Sequence, residues 1–549
     1  MDYTYSRQNI KGKEKLLERI FEIVPGGLSW LIIIGMASLL LFKPLAAMII
    51  VIAFILDWLM RLMYMNVLLL LSYARFNIEK NTDWINRIEG VDRLESYFKG
   101  FRQKTDGENW YGRISKAIHI SQLDNLIKSG SLPPKSEDIH HVVIIPVIKE
   151  GAEIVEPGII AIEKGSYPSE KILLLIALEE RASEDIKRQM HELREKHREN
   201  FRDFAIVPHP SDIPGEAAVK GANATFAAKK AADYLTEKAI PYENVIVSCF
   251  DADTVVVHDY FSCLTYYFMV TPNRIKASFQ PIPVYFNNIW DAPSFARIID
   301  IGISFFQLIE ATDPKKLITF SSHSMSFKAL SDIGYWPTDI ISDDSAIFWK
   351  AFLHFDGDYQ TIPMPITLSM DIVSGRNLAE TIKNVYKQKR RWAWGVENFP
   401  IIMRGFLRTT TIPLYLKIIH TVRLLDNFIS WATWSFLLTF ISFIPLFFTP
   451  SEFADTTVYY IAPRMKTTVF LLSSFGLVIC VIMSLLPVPP QKNKHSIRKM
   501  LQHAGEWLLI PVVVLFFSAL PALDAQTRLM FGKYMEFWVT DKYRLKNTS

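Results

Sequence analysis

Hydrophobic and polar positions divide this chain into a polar block held between two apolar ends. After a charged opening at 1–23, the sequence is almost wholly apolar from Gly27 to Leu41. It breaks at Lys43-Pro44 and is apolar again from Leu45 to Tyr73. About 20 apolar residues cross the hydrocarbon core of a bilayer, so the pattern predicts a transmembrane hairpin over 24–73. Asp57 and Arg61 interrupt its second arm at i,i+4. That spacing suits an intrahelical pair turned towards a neighbouring helix or the interface, with a functional charge at membrane depth as the alternative. Residues 12–19 predict a short amphipathic helix on the cytosolic side. The start does not read as a cleavable signal peptide, because it is polar and the apolar stretch after it is too long and lacks a small-residue cleavage pattern.

Residues 74–139 are mixed and charged, a connecting region with short helices. From 140 to 400 apolar runs alternate with helical patterns. Strands are predicted at 141–146, 172–177, 204–207 and 244–250, and helices at 152–164, 182–200 and 216–238. Strand alternating with helix predicts an α/β fold with a mostly parallel sheet covered on both faces. Such sheets bind ligands beyond the carboxyl ends of their strands. Glu150, Glu179-Glu180, Asp251 and Asp253 fall at those ends. Past 400, apolar and basic residues alternate over 401–427, an interfacial pattern. Three transmembrane helices are predicted within 428–523, near 428–448, 467–487 and 506–522. The linker 491–500 is strongly basic, which places it, and the catalytic domain with it, in the cytoplasm. The tail 524–549 is also basic, with Arg528, Lys533, Lys542 and Arg544. Two spans before the domain and three after it would put that tail outside, whereas its charge favours the cytosol; a re-entrant or interfacial last segment reconciles the two.

With 549 residues the chain is too long for one ordinary domain, and its 50% hydrophobic content is concentrated at the two ends. The mean hydropathy of +0.15 is high for a soluble protein of this size. A net charge of +4 and the absence of a basic, aromatic-interleaved stripe imply no nucleic-acid partner. Cys249, Cys263 and Cys480 lack metal-ligand spacing, and the first two fall in the polar block, in keeping with a reducing cytosol.

Three short patterns carry candidate chemistry. Asp251-Ala252-Asp253 follows a buried strand, where two carboxylates can hold a hard divalent cation that also takes phosphate oxygens; the bland reading is an ordinary turn. Asp343 and Asp344 precede a helical stretch, where Ser342 or an Asp could simply cap the helix. Alternatively, two crowded acids near bound phosphate supply a tuned general base. Gln388-Lys389-Arg390-Arg391-Trp392 is either a juxtamembrane anchor or an active-site element in which Arg391 faces leaving-group charge and Trp392 stacks on a sugar ring.

In this order, and flanked by apolar helices, these motifs resemble the membrane-integrated family 2 glycosyltransferases, which include cellulose, chitin and hyaluronan synthases. The likeness covers 140–400 in motif order, and Gln388-x-x-Arg391-Trp392 is its most specific part. The resemblance implies a GT-A-like cytosolic domain and a Mg²⁺ or Mn²⁺ ion on Asp251 and Asp253. It implies a nucleotide-sugar donor, UDP-linked, near Pro146, Glu150, Glu179, Lys220, Asn223, Asp251 and Arg391. Ser342-Asp343-Asp344 stands in the place of the family's Thr-Glu-Asp, which implies Asp344 as catalytic base. The acceptor end falls to Gln388, Trp392, Asp343 and His323, with a structural histidine as the alternative at His323. Two departures stand out. Glu179 takes the place of the Asp that usually holds the nucleobase, and Thr319–Ser324 occupies the position of a glycine-containing acceptor motif.

The expected protein is thus an inverting glycosyltransferase of the plasma membrane, acting on a glycan or a lipid-linked acceptor. Rival readings are a transferase adding one sugar to a lipid carrier, a catalytically inactive glycan-binding relative, and a transporter with a soluble domain. The last would need polar residues along several spans, and the C-terminal spans have few.

Overall fold

A computed structural model describes residues 5–8, 10–103, 110–441 and 505–539, with isolated positions between 464 and 482. The expected span at 467–487, the linker 491–500, Cys480 and the tail beyond 539 lie outside the described residues, apart from those isolated positions.

The chain opens with two long helices, α1 (Lys13–Phe42) and α2 (Pro44–Glu79), broken at Lys43. Three more helices, α3 (Trp84–Asp92), α4 (Leu94–Gln103) and α5 (Trp110–Ser129), lead into the sheet domain. There β1 (His140–Val147), β2 (Ile172–Glu179), β3 (Asp203–His209) and β4 (Val245–Cys249) alternate with α6 (Ala152–Glu163), α7 (Glu184–His197) and α8 (Lys220–Glu237). The second half adds β5 (Val255–Val256), α9 (Tyr260–Val270), β6 (Ala277–Val284), α10 (Ser294–Glu310), β7 (Ser324–Ser326), α11 (Phe327–Asp332), α12 (Asp343–His354) and β8 (Gln360–Ser369). It ends with α13 (Leu378–Ala393), α14 (Asn398–Arg408) and α15 (Leu414–Ile441).

The eight strands form one sheet in the order β3-β2-β1-β4-β7-β6-β8-β5. Strands β1 to β4 are parallel, as the unbroken apolar runs predict for strands covered on both faces. Short β7 pairs antiparallel with both β4 and β6 and joins the halves of the sheet. Successive residues of β1 enter opposite cores: Val143 and Ile145 lie on one side, Val142 and Ile144 on the other, the period of two expected of a strand. On the second side α8 offers Ala224, Ala227, Ala228 and Ala231, all fully buried, so the helix lies close to the sheet.

Among the described residues three helices are long and apolar enough to cross a membrane: Lys13–Phe42, Leu45–Glu79 and Trp507–Met530. The first two lie where a hairpin was expected over 24–73, with different boundaries. The segment 12–19 is not a separate amphipathic helix; α1 runs unbroken through Pro25 from the charged residues into the apolar ones. Its charged turns are held against the sheet domain, where Arg404 Nε lies 3.0 Å from Glu18 Oε2. The interfacial reading of 401–427 fails for α14, whose residues Asn398 to Phe406 are all buried. Its two arginines meet acids of α1, Arg404 pairing with Glu18 and Arg408 with Glu14. By contrast, α15 keeps Leu414, Tyr415, Ile418 and Val422 exposed and continues without a break across the expected boundary at 428.

Asp57 and Arg61 form the expected pair at 2.9 Å, and Arg61 also reaches Asp426 of α15 at 2.7 Å. The last helix, Leu520–Met530, lies against α1: a Cβ on Gly26 would stand 2.8 Å from the Gln526 carbonyl oxygen. Ser29 there donates to Gln526 at 2.7 Å and Trp30 to Thr527 at 2.9 Å. The described tail beyond this helix turns back onto the first turns of α1, where Tyr534 donates to Glu22 at 2.9 Å.

Candidate active site

The carboxyl ends of β1, β2 and β4 open onto a cavity of ≈ 250 Å³. Its floor is the turn after β4, where the apolar strand gives way to Asp251, Ala252 and Asp253. The amide of Asp251 donates to Ser322 Oγ at 3.1 Å. Ser322 holds φ at +61°, a left-handed conformation that an L residue adopts only under constraint from its surroundings. Its neighbour Ser321 donates to the Asp251 carboxylate. Asp253 is buried and accepts the Asp371 amide at 2.9 Å. Asn287 donates at 2.9 Å both to Asp371 Oδ1 and to the Asp253 carbonyl. Asp371 thus stands with the pair Asp251 and Asp253 in the cavity wall, at the end of β8.

Lys220, the first residue of α8, lies between the acidic groups. Its Nζ is 2.7 Å from Asp251 and 2.9 Å from Asp344. Burial works against its charge, but Asp251, Asp344 and Asp343 outweigh it and hold the ammonium well above its ordinary range.

Asp343 and Asp344 open α12, and Ser342, the residue before it, makes no side-chain cap. Its hydroxyl instead donates to Glu397 at 2.9 Å, so the capping reading of this motif does not hold. The two acids meet different surroundings. Asp344 is partly open and takes Lys220, whereas Asp343 is buried and has one oxygen without a hydrogen-bond partner among the described residues. Burial, then the neighbouring Asp344, pushes the Asp343 carboxyl up to about 8.

Helix α13 supplies the remaining wall. Gln388, Arg391 and Trp392 face the cavity at i, i+3 and i+4, one side of a helix. Trp392 stands 5.9 Å from the Tyr285 ring and 6.0 Å from Phe320, so the three rings form an aromatic corner. The intervening residues turn elsewhere: Lys389 pairs with buried Asp300, Arg390 with Asp524 at 2.9 Å, and fully buried Trp394 donates to Glu397. A motif serving only as a headgroup anchor would not bury Trp394 or aim Arg391 inward.

On the donor side Pro146, Glu150, Glu179, Lys220 and Asn223 also line the cavity. Glu179 is nearly buried, with Arg181 at 2.9 Å and His209 at 3.4 Å. Burial raises its carboxyl, but the hydrogen bonds from His209 and Arg181 prevail and hold it below the usual range. His209, with Glu179 on one side and Glu216 at 3.0 Å on the other, is raised despite its burial. Asn223 donates to the Ala177 carbonyl at 2.7 Å and fixes α8 against β2. Glu150 turns back onto the amides of Ile148 and Lys149 at 3.0 Å.

The cavity brings together every sequence-predicted site residue except His323. That histidine is buried behind Asp344, its Nδ1 is 3.1 Å from the Phe320 carbonyl, and burial lowers it to about 4. It stands behind the cavity wall rather than in it. Sequence reasoning missed Arg181, Tyr285, Asp371, Phe537 and Val539, all of which line the cavity. Arg391 stacks over Phe537 at 5.3 Å. Arg181 lies on the turn after β2, beside Glu179; the others lie far from the motifs in sequence and are brought in by β6, β8 or the tail, for which the aromatic run Phe537-Trp538 was the available signal.

Asp251 and Asp253 supply hard carboxylate oxygens on one turn. Among the described residues no three His, Cys, Asp or Glu side chains gather closely enough to hold an ion unaided. The pair therefore fits an ion of the Mg²⁺ kind, which takes one or two carboxylates and completes its shell with ligand phosphates and water.

Residues 246–487 match the family described as glycosyl transferase family group 2. Over that region the chain is similar to the family 2 glycosyltransferases. It is related to polysaccharide synthases: it is 33% identical over 120 residues to a poly-beta-1,6-N-acetyl-D-glucosamine synthase of Staphylococcus epidermidis, covering 21% of this chain and 25% of the relative. The corresponding Staphylococcus aureus synthase is 33% identical over 97 residues, 17% of this chain and 21% of the relative. The chain thus spans about a quarter of the length of the curated relatives it matches. Among solved structures, a mannosyltransferase from Pyrobaculum calidifontis in complex with GDP-Man and Mn²⁺ aligns over 86% of this chain and 100% of its own. It shares 12% identity at a TM-score of 0.39.

Proposed function

We propose that this chain is a family 2 glycosyltransferase that moves a hexosyl unit from a nucleotide sugar, UDP-linked, to a glycan acceptor at the membrane surface, with inversion, in the synthesis of a polysaccharide. The observation that carries this reading is the meeting of the acidic turn, Lys220, the two acids of α12 and the Gln388, Arg391 and Trp392 face in one cavity. Asp251 and Asp253 would hold the Mg²⁺ or Mn²⁺ ion, whose chemistry is to offset charge on the departing diphosphate. Arg391 presents a planar fork to the same phosphates. Glu179, fixed by Arg181 and His209, bounds the nucleoside end. The acceptor hydroxyl lies against the aromatic corner of Trp392, Tyr285 and Phe320. Asp344 takes its proton as its oxygen bonds to the anomeric carbon. The bond from that carbon to the diphosphate breaks on the opposite face, and the nucleoside diphosphate leaves with the electron pair. Lys220 lies 2.9 Å from Asp344 and orients it. Asp343, protonated below about pH 8, keeps a second negative charge away from the base. Two neighbouring acids pushed apart by their surroundings divide proton-accepting and proton-holding roles in this way.

The test is a screen of nucleotide sugars against the purified chain with Mg²⁺ or Mn²⁺, scored by release of free nucleotide and by the mass of the glycan. Metal-dependent release from one donor that Asp253→Asn reduces by orders of magnitude supports the reading. Release unaffected by chelator and by Asp253→Asn overturns the metal assignment. The absence of release from every donor overturns the activity.

A further inference from the structure

Glu397 is a carboxylate in the protein interior, 2% exposed, outside the cavity wall. Its Oε1 accepts the amide of Ile341 at 2.9 Å, the amide of Ser342 at 3.0 Å and the Ser342 hydroxyl at 2.9 Å. These two amides immediately precede Asp343 and Asp344. Its Oε2 accepts the Trp394 indole at 2.8 Å and the Arg7 guanidinium at 3.2 Å. Arg7 comes from the short segment ahead of α1. It reaches Glu22 of α1 at 2.8 Å and lies 4.0 Å from the centre of the Tyr534 ring. The rest of that segment grips the same place. Ser6 donates to Asp339 at 2.6 Å and Tyr5 to Asn398 at 3.0 Å, while Asn398 donates to Ser342 and Ser345, each at 3.0 Å.

We propose that residues 5–7 form a positioning element for sugar transfer: Arg7 neutralises Glu397, and Glu397 fixes the backbone from which Asp343 and Asp344 reach the cavity. Through Tyr534 the same arginine ties that backbone to the tail residues Phe537 and Val539 in the cavity wall. The inference rests on the reading of the cavity as a glycosyltransferase site.

The physical reason is an uncompensated charge. Burial pushes the Glu397 carboxyl up, and Arg7 is the cation that works against this. Without Arg7 the carboxyl either takes a proton, losing acceptor capacity, or draws in water. Either change loosens the amides of Ile341 and Ser342. A misplacement of about 1 Å at the reacting groups can reduce a rate about 100-fold. Lys220, Asp251 and Arg391, which would bind the donor, meet residues 5–7 only indirectly, by way of Asp344 and Phe537, so the loss should fall more on turnover than on donor binding.

The experiment uses the full chain in lipid nanodiscs. Arg7→Gln is expected to lower kcat about tenfold or more while the donor KM stays within about threefold. Arg7→Lys, which can pair with Glu397 but lacks the fork that also reaches Glu22, should recover part of the loss. Hydrogen exchange supplies a readout that needs no turnover. In Arg7→Gln the amides of Ile341 and Ser342 should exchange faster while those of β1 keep their protection. Wild-type kcat in Arg7→Gln, or unchanged exchange at Ile341 and Ser342, overturns the inference. So does a uniform loss of protection including β1, which would make Arg7 a general stabiliser. Should Arg7→Gln not accumulate as folded protein, the Arg7→Lys measurements decide by the same criteria. A wild-type chain that releases nucleotide from no donor refutes the proposed function, and the exchange measurement still decides the coupling.

Discussion

Asp343 and Asp344 are adjacent in sequence, yet one is buried with its proton and the other faces Lys220, and the difference makes their roles separable. Asp344→Asn should reduce transfer by about 10²–10⁴-fold, the usual contribution of a general base, with donor affinity measured by calorimetry within a few-fold of wild type. Loss of donor binding instead would make Asp344 a donor ligand. Asp343 reports on stability. Its folded carboxyl is raised from 3.8 to about 8, so across that window the folded state holds a proton that the unfolded state has released. Stability must therefore fall as pH rises from about 4 to 8. Asp343→Asn should flatten this dependence, read as the change in Tm between pH 5 and pH 8 in chelator; an unchanged slope would assign the proton elsewhere. Arg391→Lys tests the remaining role. Hydrogen bonds to charged groups contribute about 1.5–3 kcal/mol, so roughly 10- to 100-fold in turnover should be lost. Full activity of Arg391→Lys combined with Trp392→Tyr would favour a headgroup anchor. At this scale the sequence was informative wherever chemistry needs residues close together in the chain. Asp251 and Asp253 share one turn, and Gln388, Arg391 and Trp392 share one helical face. It was silent on Asp371 and Tyr285, which depend on how far β8 and β6 extend, and it offered His323 as a contact because burial cannot be read from a single histidine.

Between elements the decisive approach is that of α8 to α12. A Cβ on Gly221 would meet the Pro337 carbonyl oxygen at 2.4 Å and the Asp343 Cβ at 3.1 Å. Backbone cannot yield as a flexible side chain can, so Gly221→Ala must push the catalytic turn away from Lys220. Overpacking of this kind costs about 1–3 kcal/mol. The expected outcome is a Tm lower by a few degrees and a kcat reduced far more than that change implies; a kcat equal to wild type would show that the Lys220 to Asp344 distance is not critical. The alternating strands β1 to β4 and helices α6 to α8 were legible because unbroken apolar runs and 3.6-residue periodicity repeat there. β5 to β8 were not, since β5 and β7 are only two and three residues long and take their conformation from neighbouring strands. Nor was the unbroken course of α1 visible, because Pro25-Gly26-Gly27 reads as a helix break until the last helix is seen to require a small residue there.

In the whole molecule the sheet domain and the membrane helices share a core. One apolar cluster joins Val219, Ala222 and Ile341 of the site region to Ala432, Leu523 and Leu529 of the apolar helices. Cutting the chain to residues 140–400 would expose that surface and strip Arg7 from Glu397. Breaking one side of a buried ion pair costs about 3–5 kcal/mol, a large fraction of the stability of an ordinary domain. Such a fragment is expected to aggregate or to lack cooperative unfolding in calorimetry; a monodisperse fragment with a sharp transition would show that the domain stands alone. The placement of Phe537 and Val539 in the cavity wall carries a further consequence for biogenesis. The ribosome completes the sheet and the acidic turn long before it makes these residues, which follow α15 and the apolar helix Leu520–Met530 in the chain. Nascent chains stalled before Phe537 should therefore carry a finished sheet and an unfinished cavity wall, and under the proposed function they should release no nucleotide from a nucleotide sugar.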